Sequence, residues 1–139
     1  MKIDVEKWIV HKPDEEIISY KLVNVNYCCE EIKKITGLDL YYEIPYNSDN
    51  YVLGIMIYIY LELHQLFYCP KCGSKIEINI LKEIDKTNEY YKAKEYENLL
   101  FKKWSNNLDN KELEKQYRKA FFDNFKKFRC TDTLNIKSN

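Results

Sequence analysis

The chain has 139 residues, 45% of them apolar and 15% aromatic with 13 tyrosines, which excludes a disordered or fibrous polymer. It fits one domain, or a domain with an appendage, able to bury a core yet small enough to gain from a staple. Lys+Arg and Asp+Glu both number 22, so no overall charge draws the molecule to nucleic acid or to a membrane surface. The balance is uneven, with 8 basic and 12 acidic side chains in residues 1–80 but 14 and 10 in residues 81–139, so an anionic partner would meet the C-terminal part.

From Met1 to Lys7 charges interrupt every apolar run, and no secretory signal is expected. Ile3 to Val10 alternates weakly, and in Ile17 to Val25 the residues Ile17, Ser19 and Lys21 oppose Ile18, Tyr20 and Leu22, so both segments are expected strands. Residues 28–36 read as a short helix: Cys28, Ile32 and Ile35 share a face, Glu30 and Glu31 occupy the first turn, and Gly37 supplies the stop. Leu38 to Tyr46 and Tyr51 to Tyr68 are rich in β-branched and aromatic residues, separated by a turn at Pro45 to Asn50, and form an expected hairpin. The longest apolar run, Tyr51 to Leu61, falls well short of the ~20 residues that cross a bilayer.

Ile76, Ile78 and Ile80 alternate with Glu77 and Asn79 as a further strand. The period then becomes helical: residues 88–105 set Ala93, Tyr96, Leu100 and Trp104 on one stripe, widened by Leu99 and Phe101. A second helix is expected from Asp109 as cap, with Glu112 completing a capping box and Leu108 stapled against Leu113. It carries Leu113, Tyr117, Ala120, Phe121, Phe125 and Phe128 on one side, able to cover a sheet face. The expected fold is α+β, a small antiparallel sheet with a metal knuckle covered by a C-terminal antiparallel helical hairpin. Its parts are a β-rich domain with one short helix over 1–84, the hairpin over 85–130, and a flexible tail over 131–139.

Five cysteines, an odd number, suit a reducing cytoplasm and thiolate–metal chemistry better than a disulfide framework. Cys69-Pro70-Lys71-Cys72-Gly73 is half of a structural zinc site, because a tight C-x-x-C turn aims backbone N–H groups at two sulfurs. Cys28 and Cys29 are the candidates for the other half; opening a helix, their thiols would be acidified by its dipole. His64 is the reserve ligand and His11 a more distant one, while Cys130 reads as a spectator. The competing reading of Cys69 and Cys72 is a redox pair of the Cys-Pro-x-Cys kind, which sits where a strand hands over to a helix; here a strand follows. Cys28 can also be read as a core residue on the Ile32 face.

Asn26-Tyr27-Cys28-Cys29-Glu30 followed by Tyr68-Cys69-Pro70-Lys71-Cys72-Gly73-Ser74-Lys75-Ile76 resembles a group of small, functionally uncharacterised bacterial zinc-ribbon-like proteins. The resemblance covers residues 27–76. It implies a structural zinc held by Cys28, Cys29, Cys69 and Cys72 around a short sheet, and implies no activity. Members of that group commonly carry an aromatic residue where Lys71 stands and end soon after the knuckle, so the helical residues 85–130 are a departure.

An enzyme is not expected: only two histidines occur, and no phosphate loop, nucleophile elbow or His-Glu-x-x-His pattern is present. Nucleic-acid binding has one carrier, the basic set Lys115, Arg118, Lys119, Lys126, Lys127 and Arg129 with interleaved aromatics, which can equally be a solvated face. The expectation is a zinc-stabilised, non-catalytic protein-binding module, an adaptor or inhibitor of the kind a mobile element would carry. Tyr90, Tyr91, Phe101 and Phe122 fall off or at the margin of the main stripes and are its candidate contacts.

Overall fold

The computed structural model describes residues 1–34, 38–43, 52–59, 62–132 and 134. The expected turn at Pro45 to Asn50, the Gly37 helix stop and residues 135–139 of the tail lie outside them. The elements in order are β1 (Lys2–His11), β2 (Glu16–Asn26), a 3-10 helix (Glu30–Lys34), β3 (Leu38–Glu43), β4 (Val52–Ile59), β5 (Glu62–Leu66), β6 (Glu77–Asp85), α1 (Thr87–Ser105) and α2 (Lys111–Arg129). The class is α+β, as the sequence leads one to expect.

Two three-stranded sheets form, ordered β2-β1-β6 and β3-β4-β5. The second is antiparallel throughout: Leu38 lies opposite Ile57, Ile55 opposite Leu66 and Ile59 opposite Glu62. The apolar segment from Tyr51 to Tyr68 is therefore two strands and not one. In the first sheet, Glu77 N–H donates to the Met1 carbonyl and Lys86 N–H to that of Ile9, each at a spacing of about seventy-six, so β6 runs parallel to β1. Alternation within a strand is the same for either direction, which is why an antiparallel sheet was the simpler expectation.

The chain divides into two compact units, one of residues 1–7, 20–83 and 131–139, the other of residues 8–19 and 84–130. Burial along the strands follows this division. In β1 the buried residues are odd-numbered at Ile3 and Val5 and even-numbered at Val10; in β2 they are Ile17 and Ser19, then Tyr20. A period-two pattern that resets mid-strand is why β1 alternates only weakly in sequence.

In the first unit the core contains Ile3, Val5, Tyr20, Ile32, Ile55 and Leu134. Thr131 and Asp132, expected in a free tail, dock along β2. Tyr20 N–H donates to Thr131 Oγ1 at 3.2 Å, Leu22 N–H to Asp132 Oδ2 at 2.9 Å, and Asp132 N–H to the Tyr20 carbonyl. These bonds satisfy backbone groups that an edge strand leaves open.

In the second unit Val10, Ile17, Tyr90 and Phe128 form a cluster with Ala93 against it. Tyr90 meets Phe128 edge to face at 5.5 Å, Asn124 Nδ2 donates to Glu97 Oε2 and to the Ala93 carbonyl, and Trp104 stacks on Tyr117 at 5.5 Å, so the helices are antiparallel. The cap of α2 is Asn110 and not Asp109: Asn110 Oδ1 accepts from the N–H groups of Glu112 and Leu113, both at 3.1 Å. Either residue type caps well, so identity alone could not decide between neighbours.

Candidate metal centre

The knuckle leaves β5 through Phe67 and returns toward β6 through Ile76. Tyr68 and Lys75 form an antiparallel bridge, Ile76 N–H donates to the Phe67 carbonyl, and Cys69 N–H to that of Ser74 at 2.7 Å. Gly73 N–H closes the turn on the Cys69 carbonyl with φ at 75°, a conformation that costs glycine little and any β-carbon more. Lys71 N–H points at Cys69 Sγ, 3.4 Å away, and Ser74 Oγ lies 3.2 Å from Cys72 Sγ. Backbone dipoles thus converge on the sulfurs as the C-x-x-C pattern requires.

Cys28 and Cys29 arrive from the other direction, between the end of β2 and the 3-10 helix. Cys28 Sγ stands 3.4 Å from Cys72 Sγ and Cys29 Sγ stands 3.8 Å from Cys69 Sγ; all four sulfurs lie within 4.8 Å of one another. Zinc–sulfur bonds of about 2.3 Å directed to a tetrahedron put the sulfurs about 3.8 Å apart, inside the observed span. The cluster therefore fits a metal ion with no large rearrangement, and its soft donors suit thiophilic ions and not magnesium or calcium. All five cysteines are free thiols.

Proton affinities divide across the cluster. Ser74 holds Cys72 down at about 6, through its hydroxyl first and its N–H second. Burial pushes against Cys69, yet the N–H groups of Cys72 and Lys71 outweigh it and lower that thiol. Cys28 is pushed up to about 12, by burial first and then by its contacts with Cys72 and Cys69. Cys29 is raised by burial, against the pull of Ile32 N–H. The acidification expected from the helix start reaches Cys29 as the Ile32 N–H, but burial outweighs it and both thiols end up raised.

His64, the reserve ligand, sits exposed on β5 and does not belong to the four-sulfur group. His11 Nδ1 is 2.9 Å from Glu16 Oε1. Cys130 is likewise outside the cluster.

Of the candidate contact residues, Tyr90 is corrected by the structure. It is only 6% exposed, because the buried stripe of α1 runs through Tyr90, Glu97 and Leu100, and Tyr96 faces out. Tyr91, Phe101 and Phe122 are exposed, and Phe121 and Phe125, expected to cover a sheet, are exposed too. In the basic set, Arg118 pairs with Glu114, Lys119 with Asp123, Lys127 with Glu89 and Arg129 with Glu15. Lys115 and Lys126 are exposed. Much of the charge that would attract a phosphate backbone is thus spent on neighbouring carboxylates.

Glu97 is the residue that sequence reading missed: 4% exposed, it is held by Lys94 Nζ at 2.7 Å and Asn124 Nδ2 at 2.9 Å. Its position in register with Tyr90 and Leu100 was the available signal.

No family model, no curated protein and no solved structure matches the chain. Among the described residues no helix is long and apolar enough to cross a membrane.

Proposed function

We propose that this protein is a zinc-stapled, non-catalytic module that binds another protein, acting in the cytoplasm. The observation that carries the zinc reading is the convergence of the Cys28, Cys29, Cys69 and Cys72 sulfurs within 4.8 Å. Four thiolates fill a tetrahedron and leave no position for water or substrate, which favours a structural ion over a catalytic one. The N–H contacts at the knuckle are the outer-shell support such sites use, and the arrangement agrees with the zinc-ribbon-like resemblance of residues 27–76.

Protein binding is supported by the large side chains the helices leave in solvent, among them Phe101, Phe121 and Phe122. Aromatics of this kind are enriched at the centres of interfaces. The carboxylate pairing along α2 favours a protein partner over nucleic acid.

The test measures metal on tag-free protein and then uses that protein as bait against an extract of its native host, with Phe122→Ala as control. One equivalent of zinc and a partner lost by the variant are expected. Metal-free, folded protein would remove the zinc reading; retention on heparin that collapses with salt, without a protein partner, would replace protein binding by nucleic-acid binding.

A further inference from the structure

The four sulfurs differ in access. Cys69 is 2% exposed and receives Lys71 N–H, Cys28 and Cys29 are half-buried, and Cys72 alone is exposed. Across the cluster Cys28 Sγ faces it at 3.4 Å, while Cys29 faces Cys69 at 3.8 Å. A disulfide needs about 2.05 Å between sulfurs, so closing Cys28 to Cys72 takes a movement of about 1.4 Å, within the reach of side-chain rotation on an exposed turn.

We infer that Cys72 is an oxidation site for hydrogen peroxide, with Cys28 as the residue that resolves it into a cross-link between the 28–29 segment and the knuckle. The Cys72 thiolate attacks one peroxide oxygen: a sulfur–oxygen bond forms, the oxygen–oxygen bond breaks, and hydroxide leaves. The Cys28 sulfur then attacks the Cys72 sulfenic sulfur, forming the disulfide, and its thiol proton passes to the departing hydroxide, which leaves as water. The two sulfurs together lose two electrons, the peroxide gains them, and one solvent proton converts the first hydroxide to water.

Attack begins at Cys72 because nucleophile and oxidant must meet, and the other three sulfurs are shielded to differing degrees. It resolves at Cys28 and not at Cys69 because Cys28 Sγ already stands 3.4 Å from Cys72 Sγ, while Cys69 is buried and its sulfur engaged by Lys71 N–H in a turn held by the Cys69–Ser74 and Gly73–Cys69 backbone bonds. The cross-link removes two of four candidate ligands at once, so metal held by the cluster becomes labile. This last consequence rests on the zinc reading above; the order of thiol reaction does not.

Purified, zinc-loaded protein is treated with hydrogen peroxide in the presence of a colorimetric zinc indicator, and the products are digested and mapped by mass spectrometry. The Cys28–Cys72 cross-link is expected first, with zinc release in step with it. Cys28→Ser should instead accumulate Cys72 sulfenic acid, trapped by a cyclic dione. Because a ligand variant can misfold, limited alkylation of the native wild-type chain is the second measurement, with Cys72 expected to label at least tenfold faster than Cys28, Cys29, Cys69 or Cys130. A first disulfide joining Cys69 to Cys72 or Cys28 to Cys29, or faster labelling at any other cysteine, overturns the inference. Protein that carries no zinc yet cross-links Cys28 to Cys72 sustains it and fails only the metal reading.

Discussion

In the unit of residues 1–7, 20–83 and 131–139, the fully buried side chains include small aliphatics from separate elements, Ile3, Val5, Ile32 and Ile55, and four sulfurs meet from segments about forty residues apart. In the unit of residues 8–19 and 84–130, two 19-residue helices close on each other through Phe128, Tyr90 and the Asn124 amide, backed by Val10 and Ile17. The difference is where order comes from. Helices bring most of their hydrogen bonds with them and need only a packed face. Loops such as the knuckle and the 28–29 segment bring little, and ordering their backbone costs about 1–2 kcal/mol per residue, so a cross-link is worth most there.

Removing the metal should give the largest effect. Binding free energy at a structural four-ligand zinc site is on the order of 10 kcal/mol near neutral pH and appears as folding free energy. Chelation, or Cys69→Ala, is therefore expected to lose amide protection across β3, β4, β5 and the knuckle, read by hydrogen-exchange mass spectrometry, with smaller losses in α1 and α2. Equal losses in both units would erase the contrast, and no loss anywhere would mean that the sulfurs hold nothing of structural weight.

The reciprocal perturbation is Phe128→Ala. Phe128 is fully buried against Tyr90, and truncating such an aromatic costs about 3–5 kcal/mol from lost burial and the cavity left behind. A lower Tm with zinc stoichiometry unchanged is the expected result; loss of zinc on this substitution would show that the two regions cannot be perturbed separately.

Acidity sharpens the same contrast, since the large thiol shifts fall in the unit that holds the four-sulfur cluster. Cys72 is depressed from 9.0 to about 6, so between pH 6 and 9 the unfolded chain binds a proton that the folded chain does not, and metal-free folded protein gains stability as pH rises through that window. Cys28 is raised from 9.0 to about 12, so above pH 9 the sign reverses and its contribution is lost as pH approaches 12. Urea midpoints of the metal-free protein should therefore peak near pH 9, and Cys72→Ser should flatten the rise on the acid side, leaving the smaller part that the lowered Cys69 supplies. A profile that is flat between pH 6 and 9 would contradict the assignment.

Much of this was legible in the residues themselves. The strands, both helices and the four sulfurs follow from local patterns: the Pro/Gly turn at Cys69 to Gly73, the change of period after Ile80, and an adjacent pair at Cys28 and Cys29 too unusual to ignore. What was not legible depends on contacts distant in sequence. The parallel seating of β6 on β1 is invisible to alternation, and the reset of burial in β1 and β2 looks like a weak strand until two units share it. Tyr90 falls on the wrong side in the sequence because a rotation of the α1 stripe by a fraction of a turn exchanges it for Tyr96, and only a partner such as Phe128 chooses between them. The Cys28 and Cys29 thiols run opposite to expectation for a similar reason: burial, which depends on distant contacts, outweighs the N–H groups that a helix start supplies.

The smallest effect tests the helical unit at its least buried joint. Asn110 Oδ1 satisfies the N–H groups of Glu112 and Leu113, so Asn110→Ala should cost about 1 kcal/mol, the usual value of a lost N-cap. Asp109→Ala, one residue earlier and exposed, should change stability by less than about 0.5 kcal/mol. Thermal melts of the two variants at fixed zinc would separate them by a few degrees, with Asn110→Ala the lower. The reverse order would restore Asp109 as the cap and lengthen α2 by one residue at its start, with the Asn124–Glu97 and Phe128–Tyr90 contacts unmoved.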